Sequence, residues 1–151
     1  MLEISALKGM HPVVMTPSHD GKYFHNYVIS LLNFSSAARE CGMPLDVFLH
    51  RGESLITRAR NNCVADFLAN PNWTHLFWID SDIGYSPQAA LRLLLSDYDI
   101  AAGVYPLKTE RWPGDEAQVK SMTPEQILTR YARYTVNADA SEDTGHINME
   151  V

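Results

Sequence analysis

An uninterrupted run of aromatic and apolar residues, His75-Leu76-Phe77-Trp78-Ile79, constrains the fold of this chain more than any other feature. A strand without polar alternation is typical of a sheet that is covered on both faces, and such sheets are mostly parallel. The run leads directly into Asp80-Ser81-Asp82. The sequence therefore predicts a buried strand over 75–79 with acidic side chains at its carboxyl end.

Strand-like and helix-like segments alternate along the chain around this run. Further strands are predicted over 12–15, 45–49 and 99–105, and helices over 26–41, 53–68 and 87–96. Gly42 is a good helix terminator, and Ser86-Pro87 combines an N-cap residue with a proline in the first turn. This alternation predicts an α/β fold with a mostly parallel sheet flanked by helices.

Composition and charge exclude several classes of protein. With 151 residues, of which 46% are hydrophobic and 20% charged, the chain has the size and composition of one globular domain. No apolar run reaches the roughly 18 residues of a membrane helix, and residues 1–15 lack the pattern of a secretory signal. The net charge is −2 over residues 1–109 and −4 over residues 110–151, so we expect no nucleic-acid partner. Cys41 and Cys63 lie in predicted helices, which favours a reducing, cytoplasmic location.

The two aspartates at the end of the aromatic strand are the strongest functional signal. In an extended segment, Asp80 and Asp82 point to the same side. Two carboxylates on one face beside solvent suit Mg²⁺ or Mn²⁺ carrying substrate phosphates. The alternative is that they only shape a turn or cap the next helix. Ser86 already supplies that cap, and without a cation two neighbouring carboxylates repel each other.

The order of motifs resembles that of the GT-A superfamily of nucleotide-sugar glycosyltransferases, which place a D-x-D motif after an aromatic strand of a Rossmann-like sheet. The chain also looks like the fungal mannan-polymerase group, and is closer still to small bacterial GT-A-like proteins of the majastridin type. The resemblance covers about residues 12–108. It rests on four segments in this order: Met15-Thr16-Pro17, Thr57-Arg58-Ala59-Arg60-Asn61-Asn62, Phe77-Trp78-Ile79-Asp80-Ser81-Asp82-Ile83 and Ala102-Gly103-Val104-Tyr105-Pro106.

The resemblance implies a Rossmann-like GT-A fold with an incomplete C-terminal part, and a specific set of site residues. Asp80 and Asp82 would bind Mn²⁺ or Mg²⁺, and the partner would be a UDP- or GDP-linked sugar that is transferred to an unknown acceptor. The cation would neutralise charge on the leaving diphosphate. No catalytic base is assigned. The implied nucleotide-binding residues are Thr16, Pro17, Ser18, Arg58, Arg60, Asn61, Asp80 and Ser81.

Arg60 also stands out from helix geometry alone. At 100° per residue it lies close to the apolar face of its predicted helix, whereas Arg58 points almost the opposite way, towards solvent. An arginine beside a core-facing stripe is either paired or at the edge of a site. Two interpretations stay open: contact with nucleotide phosphates, or a partly buried ion pair with an acid such as Asp46. The apolar face is formed by Ile56, Ala59, Cys63 and Phe67.

Other polar and aromatic residues carry weaker signals. Trp73, Phe77 and Trp78 are predicted to be core residues rather than a base-stacking platform, since aspartates rather than basic residues flank them. His19 and His25 lack metal-ligand spacing. Lys108 could contact a phosphate, although a solvated lysine is the simpler interpretation.

The resemblance, taken together with the length, implies two parts: a nucleotide-binding core over 1–108 and an acidic extension over 109–151 that could be a remnant of an acceptor half. Glu142 and Asp143 are adjacent carboxylates in the extension but are not assigned as the base. The chain could be a fragment, a minimal relative, or half of an assembly such as a homo-oligomer. The alternatives to a transferase are a non-catalytic nucleotide- or metal-binding module and, as a minor one, a phosphatase or nucleotidyl-transfer enzyme.

Overall fold

Strands and helices alternate through the computed structural model, which describes residues 1–105, 120–123 and 126. The strands are β1 (Pro12–Ser18), β2 (Asp46–Arg51) and β3 (His75–Trp78), and the helices are α1 (His25–Glu40), α2 (Ile56–Ala69) and α3 (Pro87–Leu94). A short 3-10 helix, Ile4–Gly9, precedes β1. The predicted α/β fold with a parallel sheet is confirmed, and its arrangement is compatible with a Rossmann-like fold.

The sheet has the strand order β2-β1-β3, with both pairs parallel. In β1, Val13 is paired with Asp46 of β2 and with Leu76 of β3. The chain passes from β1 to β2 on one side and then crosses to β3 on the other side, so the direction of winding changes at β1. In parallel α/β sheets, ligands bind at such a switch point, outside the carboxyl ends of the strands.

Helices cover the two faces of β1. On one face, Val14 packs in a cluster with Phe34 and Ala38 of α1 and with Ala90 and Leu94 of α3. On the other face, Val13 and Met15 pack against Cys63 of α2, with Phe67 beside them. This alternation along β1 is the period-two pattern of a strand buried on both sides, and it explains why residues 12–15 are all apolar.

A carboxylate connects the starts of all three strands at the amino edge of the sheet. Oδ2 of Asp46, the first residue of β2, accepts a hydrogen bond of 2.6 Å from the indole N–H of Trp73 and lies 3.0 Å from Nε2 of His11. The backbone N–H of His11 in turn donates to the hydroxyl of Thr74 at 2.8 Å. Residues just before β1 and β3 are therefore held against the first residue of β2.

The helix-boundary signals are largely confirmed. Gly42 has a φ of +70° directly after the end of α1, a conformation that glycine adopts without strain. The hydroxyl of Ser86 accepts from the backbone N–H of Ala89 at 3.2 Å, with Pro87 opening α3. Cys63 lies buried inside α2 as predicted, whereas Cys41 is the residue that caps α1. The prediction that α2 starts at Glu53 is wrong by three residues, because the Glu53 side chain binds the backbone that precedes the helix.

The predicted fourth strand is wrong. Residues 99–105 are described, and they have neither strand conformation nor a ladder with the three strands of the described sheet. A strand needs a neighbour for its backbone hydrogen bonds. Ile100 is 90% exposed, so the apolar residues that suggested a strand are not covered by the core at this point.

Residues Met1–Ala101 form one compact unit, and the described residues beyond them belong to a second. In the second unit, the backbone N–H of Thr123 donates to Oε1 of Gln126 at 2.9 Å, and the N–H of Gln126 donates to the Thr123 hydroxyl at 3.3 Å. This reciprocal pair is a capping box, the arrangement that is typical of a helix start. The predicted boundary at residue 108, Lys108 itself, and the pair Glu142 and Asp143 lie outside the described residues.

Candidate functional site

The carboxyl end of β3 brings the first aspartate of the D-x-D segment together with α2. Oδ1 of Asp80 lies 3.2 Å from Nη2 of Arg60, and the two side chains are 43% and 44% exposed. The backbone carbonyl of Asp80 accepts from the N–H of Ile83 at 3.1 Å, so the chain turns here. The ion pair therefore joins α2 to the turn after β3, and both of its side chains remain accessible to solvent.

The structure gives Arg60 a different partner from the one that helix geometry suggested. The ion-pair interpretation named Asp46, but Asp46 lies at the amino edge of the sheet, where it binds Trp73. Arg60 instead reaches Asp80 at the opposite, carboxyl edge. The reason is the direction of α2, which runs antiparallel to the strands and begins at their carboxyl ends. Arg60, in the first half of α2, therefore lies near the carboxyl edge.

Trp78 is not a core residue, which corrects the prediction for one of the three aromatic residues. Trp73 and Phe77 are half-buried and pack against the two core clusters, as expected. Trp78, the last residue of β3, is 45% exposed. The guanidinium carbon of Arg60 lies 6.0 Å from its ring centroid, at the limit of a cation–π contact. Arg60, Trp78 and Asp80 thus form one partly exposed group.

Backbone contacts anchor the segment after Asp80 to the start of α1. The carbonyl of Ser81 accepts from the N–H of Phe24 at 2.9 Å, and the N–H of Tyr85 donates to the Ser30 hydroxyl at 2.8 Å. A Cβ added to Gly84 would lie only 3.2 Å from Cβ of Asn26, so the segment passes close to the first turn of α1 at this point. The half-buried Ser81 and Asp82 are therefore carried by a loop with fixed ends.

At the end of β1, the predicted residues Thr16, Pro17 and Ser18 differ in accessibility. Thr16 is fully buried, and its hydroxyl lies 2.6 Å from the hydroxyl of Tyr27 in α1. The Ser18 hydroxyl donates to the carbonyl of Lys22 at 2.9 Å, which closes the loop after β1. Thr16 thus holds α1 against the sheet, whereas Pro17 and Ser18 reach a cleft.

The cleft has a volume of about 50 Å³ and lies at the carboxyl ends of β1 and β2, beside the start of α2. Asp80, Asp82 and the predicted residue Asn61 do not line it. The sequence analysis did not predict that His50 and Arg51 of β2 line the cleft. It named Asn61, whereas the neighbouring Asn62 is the residue that lines it. The strand-end rule applied to β2 would have indicated His50 and Arg51, and the three-residue spacing from Ala59 would have indicated Asn62. The lining residues are Pro17, Ser18, His50, Arg51, Glu53, Ala59 and Asn62.

Glu53 connects the cleft to the first turn of α2. Its Oε1 accepts from Nη2 of Arg58 at 2.8 Å and from the backbone N–H of Leu55 at 3.0 Å. These hydrogen bonds, with the one from Arg58 the stronger influence, lower the pKa of Glu53 to about 2. Arg58 is exposed and points to Glu53 rather than to Asp80, which agrees with its predicted position on the solvent side of the helix.

We expect Arg58→Gln to raise the pKa of Glu53 from about 2 towards its ordinary value of 4.5, with a part of the lowering kept by the Leu55 N–H. The pair stabilises the folded protein fully above pH 4.5 and less as the pH falls towards 2, because the folded-state pKa is the lower one. The variant should therefore lose less stability than the wild type over that interval. NMR titration of the Glu53 carboxyl group measures the pKa, with Arg39→Gln as the control. A Glu53 pKa that stays near 2 in Arg58→Gln would contradict the assignment.

His50 adds a buried imidazole nitrogen to the cleft. Its Nε2 lies 3.6 Å from Oδ2 of Asp66 in α2, beyond hydrogen-bond distance, and has no other hydrogen-bond partner. His19 and His25, which lack metal-ligand spacing in the sequence, are both exposed. In the part of the chain that the structure describes, no group of three or more His, Cys, Asp or Glu side chains is arranged to hold a metal ion.

Comparison of the chain with models of protein families, with curated proteins and with solved structures finds no match. Among the described residues, none of the helices has both the length and the apolar character needed to cross a membrane. The candidate site is therefore characterised by its own geometry, which consists of the Arg60–Asp80 pair at the end of β3 and the cleft at the ends of β1 and β2.

Proposed function

We propose that this chain binds a nucleoside-diphosphate sugar through a divalent cation and transfers the sugar to an acceptor. The observation that carries the proposal is the position of Asp80, which is partly exposed at the carboxyl end of β3 and held by Arg60. Met15 is paired with Trp78, so Pro17 and Asp80, each two residues further on, lie at the same edge of the sheet. This is the switch point, where ligands of parallel α/β sheets bind.

The side chains present fit Mg²⁺ or Mn²⁺. Mg²⁺ in phosphate-transfer sites is usually held by only one or two carboxylates, and waters and substrate phosphates complete its coordination. Asp80 and Asp82 supply this number, so a third protein ligand is not needed. When bound there, the cation would neutralise the charge that develops on the leaving diphosphate.

Arg60 and the cleft have distinct parts in the proposal. The Arg60 guanidinium orients Asp80 and adds a positive charge beside the expected position of the phosphates. The cleft presents the hydroxyl of Ser18 and the amide of Asn62, both of which can form hydrogen bonds with a hydroxyl group. We therefore assign the cleft to a ribose hydroxyl, with Ser18 and Asn62 as the polar side chains that would contact it.

The test is a calorimetric titration with UDP and GDP, each with and without Mn²⁺. We expect binding that depends on the metal, and a Kd about 10-fold higher for Arg60→Gln, since a hydrogen bond to a charged group contributes about 1.5–3 kcal/mol. Arg92→Gln, which removes an exposed arginine from α3, is the matched control and should leave the Kd unchanged. Absence of binding to either nucleotide, with or without metal, would overturn the proposal.

A second candidate is a nucleotide-binding module without transferase activity. The observation in its favour is the ion pair itself, because Arg60 already compensates the charge of Asp80 and could bind a phosphate without a metal. Assays of donor hydrolysis and of sugar transfer distinguish the two. Tight nucleotide binding without turnover favours the module, and turnover that requires Mn²⁺ favours the transferase.

A further inference from the structure

The Asp80 carboxylate is in contact with a positive charge before any ligand binds. Nη2 of Arg60 lies 3.2 Å from its Oδ1, and both side chains are accessible to solvent. The guanidinium carbon of Arg60 is also 6.0 Å from the ring centroid of Trp78, so the arginine lies between an aromatic ring and a carboxylate. A cation that binds Asp80 therefore has to share this carboxylate with Arg60 or displace the arginine from it.

Both routes are unfavourable for a free divalent cation. If Arg60 stays, a charge of +2 lies a few ångström from a charge of +1, and the two repel each other. If Arg60 withdraws, its charge-assisted hydrogen bond to Asp80 is lost. The site is exposed, so solvent reduces either cost. We expect the remaining cost to weaken the binding of a free cation about 10-fold relative to a site without Arg60.

A diphosphate reverses the sign of this effect. Its oxygens carry several negative charges, so it can bind a cation and a guanidinium at the same time. Arg60 then keeps an anionic partner when the cation takes Asp80, and the negative charge between the two positive groups offsets their repulsion. The same side chain thus opposes the free cation and favours the cation that arrives with a diphosphate.

We propose that Arg60 makes the Asp80 carboxylate selective for a divalent cation that is already bound to a diphosphate, over the free cation. Because it needs a diphosphate at the carboxyl end of β3, this selectivity rests on the proposed function. It specifies the species that binds, which is the complex of cation and nucleotide rather than the metal first and the nucleotide second. Arg60 is the residue that determines this choice.

The test is a titration with Mn²⁺ alone, in which electron paramagnetic resonance measures the free cation. We expect the Kd of Arg60→Gln for Mn²⁺ to be about 10-fold lower than that of the wild type, because the repulsion and the competing ion pair are both removed. Its Kd for UDP or GDP at saturating Mn²⁺ should rise. These opposite changes separate selectivity from a purely structural role, since a disturbed fold would weaken the binding of both ligands.

Three further variants complete the experiment. Arg60→Lys keeps the positive charge and should bind Mn²⁺ alone as weakly as the wild type does. Arg92→Gln removes an exposed positive charge from α3 and should change neither Kd. Adding Asp80→Asn to Arg60→Gln should abolish the gain in Mn²⁺ affinity, because the carboxylate that Arg60 compensates is then absent.

The outcomes distinguish failure of the selectivity from failure of the proposed function. An equal Kd for Mn²⁺ in the wild type and Arg60→Gln, in a protein whose nucleotide binding requires the metal, overturns the selectivity alone. A gain in Mn²⁺ affinity that persists in the double variant places the cation away from Asp80 and also overturns it. Absence of nucleotide binding by the wild type, with or without metal, overturns the proposed function and the selectivity together.

Discussion

Replacing Asp80 and Asp82 together with asparagine should weaken metal-dependent nucleotide binding at least about 100-fold, in a protein that remains folded. An amide keeps the size of the side chain but removes the negative charge that a divalent cation requires. Both carboxylates are at least partly accessible at the end of β3, so their loss leaves the sheet core unchanged. Calorimetry with UDP or GDP and Mn²⁺ measures the loss, and thermal unfolding measures the fold.

The matched control is Asp97→Asn, which removes an exposed carboxylate after α3. Asp97 has a φ of +63°, a left-handed conformation that asparagine adopts as readily, so the control adds no backbone strain. If the double variant binds the nucleotide as tightly as the control does, the carboxylates are not ligands. A fall in stability without a change in binding would mean that the Arg60–Asp80 pair only stabilises the fold.

Truncation of Phe34 to alanine should lower the free energy of unfolding by about 3–5 kcal/mol, the usual cost of removing a buried phenyl ring. Phe34 is fully buried in α1, and its ring centroid lies 5.9 Å from that of Phe77 and 6.2 Å from that of Tyr85. It therefore joins α1 to β3 and to the segment that precedes α3. Urea denaturation followed by circular dichroism gives the free energy.

Leu32→Ala is the control for this truncation, since Leu32 lies two residues away in the same helix but is 61% exposed. We expect a change of less than about 0.5 kcal/mol there. A small effect of Phe34→Ala would show that the contact between α1 and β3 is weaker than the ring distances indicate. Nucleotide binding by the folded fraction should survive in both variants.

Local patterns predicted most of the secondary structure correctly. The strand over 75–79 and the Ser86 cap depend on neighbouring residues alone, and both were located to within one residue. Residues 99–105 have a similarly apolar sequence but no strand beside them in the described sheet. Whether such a segment becomes a strand depends on a partner that its own sequence does not specify.

The candidate site was harder to predict because it depends on strand order. The D-x-D segment stands out in the sequence, and Arg60 stands out on its helix. Arg60 contacts Asp80 rather than Asp46 because α2 starts at the carboxyl end of the sheet, and the helix pattern alone does not specify that end. The contribution of His50 and Arg51 to a cleft with Ser18 requires β2 to lie beside β1, which the alternation of elements alone does not establish.

The contacts of Asp46 also set an order in which the sheet can be completed. They link a residue to partners 35 positions before it and 27 positions after it, so the amino edge closes only once residues 11–73 have come together. Long loops must close before such contacts contribute, which slows their formation. During synthesis, β1 can pair with β2 while the residues of β3 are still missing. Until β3 arrives, β1, the most buried strand of the sheet, has an open side, and this interval is when the nascent chain is most exposed to aggregation.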